Sequence, residues 1–172
     1  MSAAVVRAYV ALGANLGDPA VTLRAALADL ARLPDTTLVA QSSLYATTPV
    51  EADGPEYRNA VAALDTRLPA LTLLRALQAL EQAHGRQRPY LHAPRTLDLD
   101  LLLYGDTVMD TPALTLPHPR MHRRAFVLLP LLEIAPGINL PAVRAMPEAA
   151  VSNLPARDFL AAVADQPIRK LP

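Results

Sequence analysis

The chain contains no cysteine. Disulfides and thiolate metal ligands are therefore excluded, and thiols say nothing about compartment. It contains no tryptophan, and aromatic residues make up 4% of the chain. Lys170 is the only lysine, so nearly all positive charge is arginine. Basic and acidic residues number 16 each, for a formal net charge of zero. No global field argues for nucleic acid or an anionic membrane. The longest apolar run, Ala125 to Leu132, is broken by Pro130 and is far too short to span a bilayer. The N-terminus has no basic segment leading into an apolar stretch, so no signal peptide is expected. A soluble cytoplasmic protein is the default, and 172 residues suggest a single domain over 1–172.

What is present centres on Arg95-Thr96-Leu97-Asp98-Leu99-Asp100-Leu101-Leu102-Leu103-Tyr104. The stretch alternates with period 2, as a half-buried strand does. Leu97, Leu99, Leu101 and Leu103 are expected on one face, against the core. Asp98 and Asp100 then share the other face, about 7 Å apart at Cα. Like charges that close raise each other's pKa unless a cation lies between them. Mg²⁺ suits such a place, since it takes one or two carboxylates plus substrate phosphates. Arg86, Arg88 and Arg95 precede the acids, and His118, Arg120, His122, Arg123 and Arg124 follow. Metal-holding acids flanked by guanidinium groups suit a polyphosphate. An isolated Asp-x-Asp would more often be a solvated strand face.

In chain order, Ala8 to Leu12 reads as a central apolar strand. Gly13 to Pro19 reads as a turn and a weak phosphate-cradle candidate, with Asp18 as N-cap and Pro19 opening a helix. That helix runs to about Leu33, with Val21, Leu23, Ala26, Leu27 and Leu30 as its buried stripe. Thr36 to Tyr45 reads as a second strand and 46–55 as a Pro- and Gly-broken loop long enough to carry function. Tyr57 to Leu64 is a third strand. Asn59 is its lone amide, which must tie down a loop or read a ligand. A second helix runs between Pro69 and Gly85, with Leu73, Leu74, Leu77 and Leu80 as its stripe. Gln78 and Glu81 are neighbours on another face. Residues 86–94 form an arginine-rich loop, a candidate lid. Short strands are expected near Val108-Met109 and Leu114 to Leu116, and a helix over 124–134. Basic residues at that helix's start oppose its dipole unless an anion sits there. A last helix is expected over 157–164. The order strand, helix, strand, strand, helix, strand suits an α+β ferredoxin-like α/β/α sandwich, mostly antiparallel, with helices packed on the sheet.

Six segments resemble the 6-hydroxymethyl-7,8-dihydropterin pyrophosphokinase family. They are ALGANLGD at 11–18, SSLYATTPV at 42–50, PEYRNAV at 55–61, LQALEQAHGRQR at 77–88, PRTLDLDLLLYGD at 94–106 and LPHPRMHRRAFVLLPL at 116–131. The resemblance implies the same ferredoxin-like fold. It also implies transfer of pyrophosphate from ATP to the hydroxymethyl group of a reduced pterin, with release of AMP, in folate biosynthesis. By position, Asp98 and Asp100 would hold two Mg²⁺ ions, with Arg86 and Arg95 completing the catalytic set. Gln78, Glu81, Arg88, Thr115, His118, Arg124 and the backbone at Leu101 match ATP-contacting positions. Thr47, Thr48, Val50, Tyr57, Asn59 and Phe126 match the pterin pocket. Well-known members carry a lid tryptophan that closes on the pterin. Here His92 stands at that position, with Tyr90 nearby, and the lid is one residue shorter.

ATP and a reduced pterin are thus the expected partners, with neither nucleic acid nor membrane, and the expected state is a monomer. Two other readings fit a ferredoxin-like chain. An RNA-binding module would place aromatics on an open sheet, where this chain places acids. A different Mg²⁺-nucleotide enzyme would release AMP without a pterin.

Overall fold

The computed structural model describes residues 3–49, 54–85, 96–141 and 153–172. The first half of the chain supplies β1 (Val6–Ala14), α1 (Pro19–Leu30), β2 (Thr36–Gln41), β3 (Tyr45–Thr47), β4 (Tyr57–Thr66) and α2 (Ala70–Ala83). The second half supplies β5 (Asp98–Tyr104), β6 (Met109–Asp110), β7 (Thr115–Leu116), α3 (Ala125–Ile134), β8 (Asn139–Leu140), β9 (Leu154–Pro155) and β10 (Ile168–Lys170). Single 3-10 turns lie at Met121–Arg123, Ala156–Phe159 and Ala161–Val163.

The main sheet runs β10-β3-β4-β1-β5, with β2 also paired to β4. All of its pairings are antiparallel. The expected second strand is therefore two strands in line on one partner. Ser42 bridges the break, taking the Val61 N–H at its Oγ (2.9 Å) while its own N–H reaches the Val61 carbonyl (2.9 Å). The βαββαβ order and the sheet order are those of a ferredoxin-like α+β fold.

Strand alternation divides the interior into two cores. Ala8, Val10, Leu12 and Ala14 of β1, with Ala60, Ala62 and Leu64 of β4, pack under α1 and α2. Tyr9, Ala11, Val61 and Ala63 face the other way, onto α3 and the C-terminal 3-10 turns. Asp18 caps α1 by accepting the Val21 N–H at 3.3 Å. Leu23, Ala26, Leu27 and Leu30 are buried as expected, but Val21 points to solvent. It stands in the first turn of the helix, where the chain is still rising from the surface.

One expectation for β5 needs correcting. Leu97, Leu99 and Leu101 join the α1/α2 core, but Leu103 lies on the α3 side with Leu102. The register explains it. Tyr9 pairs with Leu103 and Val10 with Leu101, so Leu102 is an extra residue in a β-bulge. A bulge inserts one residue and reverses the face of everything beyond it. Gly13 is likewise inside β1 rather than in the turn after it. The expected last helix is two 3-10 turns, and the chain beyond it forms β10, paired with β3.

Candidate active site

The site sits where one row of the sheet crosses the α3 face. Gly13 of β1 is flanked by Asn59 of β4 and Asp98 of β5. In the next row Ala11 is flanked by Val61 and Asp100. Asp98 and Asp100 therefore share a face, as the alternation before the bulge requires.

A cavity of about 260 Å³ opens over these rows. Asp98, Asp100, Asn59, Tyr57, Thr47, Thr48, Arg124 and Phe126 line it, with Ala11, Leu12, Gly13 and Pro49. A second cavity of about 250 Å³ lies alongside. Leu99, Leu101, Thr115 and His118 are among its walls. Asp100 lines both cavities.

Asn59 is almost fully buried, and its Nδ2 donates to Thr47 Oγ1 at 2.8 Å. It thus ties down β3, as one reading of that amide expected, and it also lines the cavity. A Cβ on Gly13 would stand 3.3 Å from Asn59 Oδ1. The missing side chain is what leaves the floor flat. Arg124 stands in the N-cap position of α3, and its guanidinium carbon lies 5.3 Å from the Phe126 ring centre. That distance is within cation–π range.

The electrostatics bind these groups together. Burial pulls the Arg124 guanidinium below its ordinary value, while the Asp100 and Asp98 charges hold it up. Burial and the Asp98 charge push the Tyr57 hydroxyl upward. Burial pushes His118 down, against a smaller opposing pull from Asp100, and Arg124 and Arg120 push it the same way as burial. His118 Nδ1 accepts the Arg120 N–H at 3.2 Å. Its proton is therefore on Nε2, which is left as a donor.

Two of the expected ATP-contacting residues lie apart from these walls. Gln78 is exposed on α2. Glu81 is buried and accepts the Leu99 N–H at 3.3 Å, which clips α2 to the aspartate strand. Arg86, Arg88, His92, Arg95 and Val50 lie outside the described residues. The expected anion at the start of α3 meets a competitor, because the Ala125 N–H is already taken by Gln166 Oε1 at 2.8 Å. Ala11 and Leu12 in the floor and Pro49 in the rim were not singled out from sequence, and Gly13 was read only as the start of a turn. A glycine inside an apolar strand was the available signal, since it marks close approach of another group to the backbone.

Among the described residues, no three His, Asp or Glu side chains converge as a metal cage. No helix among them is long and apolar enough to cross a membrane.

The sequence model described as 7,8-dihydro-6-hydroxymethylpterin-pyrophosphokinase matches residues 9–136. A Pseudomonas aeruginosa protein named 2-amino-4-hydroxy-6-hydroxymethyldihydropteridine pyrophosphokinase is 52% identical over 145 residues, 84% of this chain and 90% of that one. A Haemophilus influenzae protein of the same name is 46% identical over 138 residues, 80% of this chain and 86% of that one. Among solved structures, wild-type Plasmodium falciparum HPPK-DHPS with pteroate superposes with a TM-score of 0.69 at 12% identity. That likeness covers 94% of this chain but only 45% of the Plasmodium chain, and it carries the fold alone. A match running from β1 to the end of α3, joined to relatives so similar over most of their length, makes this chain a member of the 7,8-dihydro-6-hydroxymethylpterin-pyrophosphokinase family.

Proposed function

We propose that this chain carries out its family's reaction at the wall its two cavities share. Pyrophosphokinase activity, with ATP as donor and a hydroxymethyldihydropterin as acceptor in folate synthesis, comes with membership of the family. What is proposed is where each part of it happens. The acceptor lies in the first cavity and the nucleotide in the second. The observation that carries this reading is the position of Asp100, which borders both.

The pterin ring presents donors and acceptors along one edge. The Asn59 amide, fixed by its bond to Thr47, keeps one N–H and its Oδ1 to complement that edge. Phe126 and Tyr57 flank the ring, Thr48 closes the rim, and Val50 belongs to the same pterin set by its position in the sequence. In the second cavity Leu101 borders the adenine, and Thr115 and the His118 Nε2–H face the phosphates. Arg124, charged and close to both acids, pairs with the transferred group. Arg86, Arg88 and Arg95 add further guanidinium charge, and His92 serves the acceptor in place of the family's lid tryptophan. Gln78 and Glu81 act on the nucleotide side, Glu81 through the strand it holds.

The acids fit Mg²⁺. They are hard oxygen donors two residues apart on one strand, facing an open cavity, and Mg²⁺ completes its octahedron with water and phosphate oxygens rather than a protein cage. Asp98 and Asp100 would hold it there, in the two-ion form the resemblance implies, and it would supply charge neutralisation for the triphosphate. The substrate hydroxyl gives its proton to water and its oxygen bonds to the β-phosphorus. The bond from that phosphorus to the bridging oxygen breaks, and the oxygen leaves with AMP. The protein contributes mainly position and charge, as phosphoryl transfer requires.

The test is AMP release with and without the pterin. Asp98→Asn and Asp100→Asn are expected to lower kcat by at least about 100-fold, with melting midpoints near that of the native chain. Near-native turnover by either variant in Mg²⁺ would remove the metal assignment. AMP release independent of the pterin would point to another nucleotide reaction.

A further inference from the structure

The residues that line the acceptor cavity from α3 are held by a segment beyond the family match, which ends at residue 136. α3 has no side-chain cap of its own, because Arg124 occupies the N-cap position without capping it. Gln166 supplies the cap from the far end of the chain. Its Oε1 accepts the Ala125 N–H at 2.8 Å, and its Nε2 donates to the Arg123 carbonyl at 2.8 Å. One amide therefore grips the backbone on both sides of Arg124. The Arg124 N–H itself points to the Met121 carbonyl at 3.4 Å. Free N–H groups at a helix start need partners, and a cap that satisfies one fixes the entry of the chain.

We propose that Gln166 is a positioning residue for the pyrophosphoryl transfer, acting by fixing the backbone of Arg124 and so the aim of its guanidinium between Asp98, Asp100 and the Phe126 ring. The inference rests on the reading of Arg124 given above. Arginine is long and flexible, so its head is only as well aimed as its stem. Misplacing a catalytic cation by about 1 Å is enough to lose much of a rate. The rest of the tail stays docked without Gln166. Ile168 pairs with Thr47 across β10 and β3, the Leu171 N–H reaches the Leu44 carbonyl at 2.9 Å, and Lys170 Nζ lies 3.2 Å from Glu133 Oε1. Loss of the amide therefore loosens the Arg124 turn in particular.

The experiment is a double-mutant cycle on kcat for AMP release, using the full chain, Gln166→Met, Arg124→Ala and the double variant. Methionine keeps the side chain's length and removes both hydrogen bonds. Gln166→Met is expected to lower kcat on the order of tenfold, while the double variant falls no more than about twofold below Arg124→Ala, because coupled groups are not additive. Lys170→Ala, which removes the tail's ion pair to Glu133, is expected to leave kcat unchanged.

The proposal is overturned by an unchanged kcat in Gln166→Met, by the same loss in both backgrounds, or by an equal loss in Lys170→Ala. If Arg124→Ala alone left kcat unchanged, the reading of Arg124 would fail and this inference with it, and that single variant identifies the case. Should Gln166→Met not fold, Gln166→Glu, which keeps the acceptor for Ala125, enters the same cycle with the same outcomes.

Discussion

Replacing Gly13 with alanine should separate folding from acceptor binding more cleanly than any other change in the site. Gly13 lies in the middle of β1, between Asn59 and Asp98, and its backbone is not in the left-handed region that only glycine tolerates. Alanine therefore folds there without strain, and its smaller unfolded-state freedom favours the native state by up to about 1 kcal/mol. Against this stands a Cβ 3.3 Å from Asn59 Oδ1, a contact that asks a few tenths of an ångström from its neighbour. The two effects are similar in size, so thermal stability should change by less than about 1 kcal/mol. Binding has no such compensation. The new methyl raises the floor by about 1.5 Å, one carbon–carbon bond. A flat ring seated on that floor must lift, or Asn59 must turn away and give up its 2.8 Å bond to Thr47. Either way the ring-edge hydrogen bonds to Asn59 are lost, which costs about 1–3 kcal/mol, or roughly a 5- to 150-fold rise in the pterin KM. The KM for ATP should hold, because Gly13 does not border the second cavity. The assay is steady-state AMP release at saturating ATP, with melting in parallel. A Gly13→Ala chain that binds the pterin normally, or loses more than about 2 kcal/mol of stability, would refute the reasoning.

Three further outcomes follow from the same geometry. Thr47→Val removes the partner of Asn59 Nδ2 and should raise the pterin KM about three- to tenfold, with the ATP KM unmoved; equal shifts in both would show that Thr47 serves the fold at large. Glu81→Ala leaves the Leu99 N–H without an acceptor in a buried place and should lower stability by about 1–3 kcal/mol, read by urea denaturation. The third concerns pH. His118 and His122 are both pushed below the ordinary histidine value, His118 chiefly by burial and His122 by burial and Arg123. A depressed histidine holds its proton less well folded than unfolded, so stability is full above about pH 6.5 and falls as pH drops below it, by up to about 1.4 kcal/mol per unit for each group. The buried His122 Nδ1 has no hydrogen-bond partner among the described residues, and the ring packs edge-on to Phe159 at 5.4 Å. His122→Leu should therefore be at least as stable at pH 7.5 and lose less stability by pH 5.5; an unchanged slope would clear His122 of the effect.

Most of the first core could be read in advance because it depends on local periodicity alone. Leu97, Leu99 and Leu101 alternate with Asp98 and Asp100, and that pattern sent both acids to one face. The error at Leu103 came from the same rule carried past its range. A bulge depends on what β1 offers opposite, and Leu101-Leu102-Leu103 looks the same with or without one. The break between β2 and β3 was hidden in the same way, since Ser42 and its bonds to Val61 replace ladder pairs with a side chain. Gly13 looked like a turn because glycine ends strands far more often than it floors a cavity. Gln166 carried no local signal. Its meaning comes from the 41 residues that separate it from Ala125, and a distance of that kind is settled only by the fold.

The bulge and the placement of the acids belong to one argument. Were β5 regular, Leu103 would join the α1/α2 core, and Leu102 and Tyr104 would face α3. With the bulge, Leu102 and Leu103 both anchor the α3 layer, and Val127, Leu128 and Leu131 pack in that same core. α3 packs chiefly on β4, on the face of the sheet to which the acids also point. Its first turn, with Arg124 and Phe126, then comes to stand over Asp98 and Asp100. A transfer between two bound substrates needs a charged wall between them that does not yield as either one enters. On the proposed reading that wall is Asp100 of the edge strand β5, paired to Ala11 of β1 and set between the buried Leu99 and Leu101.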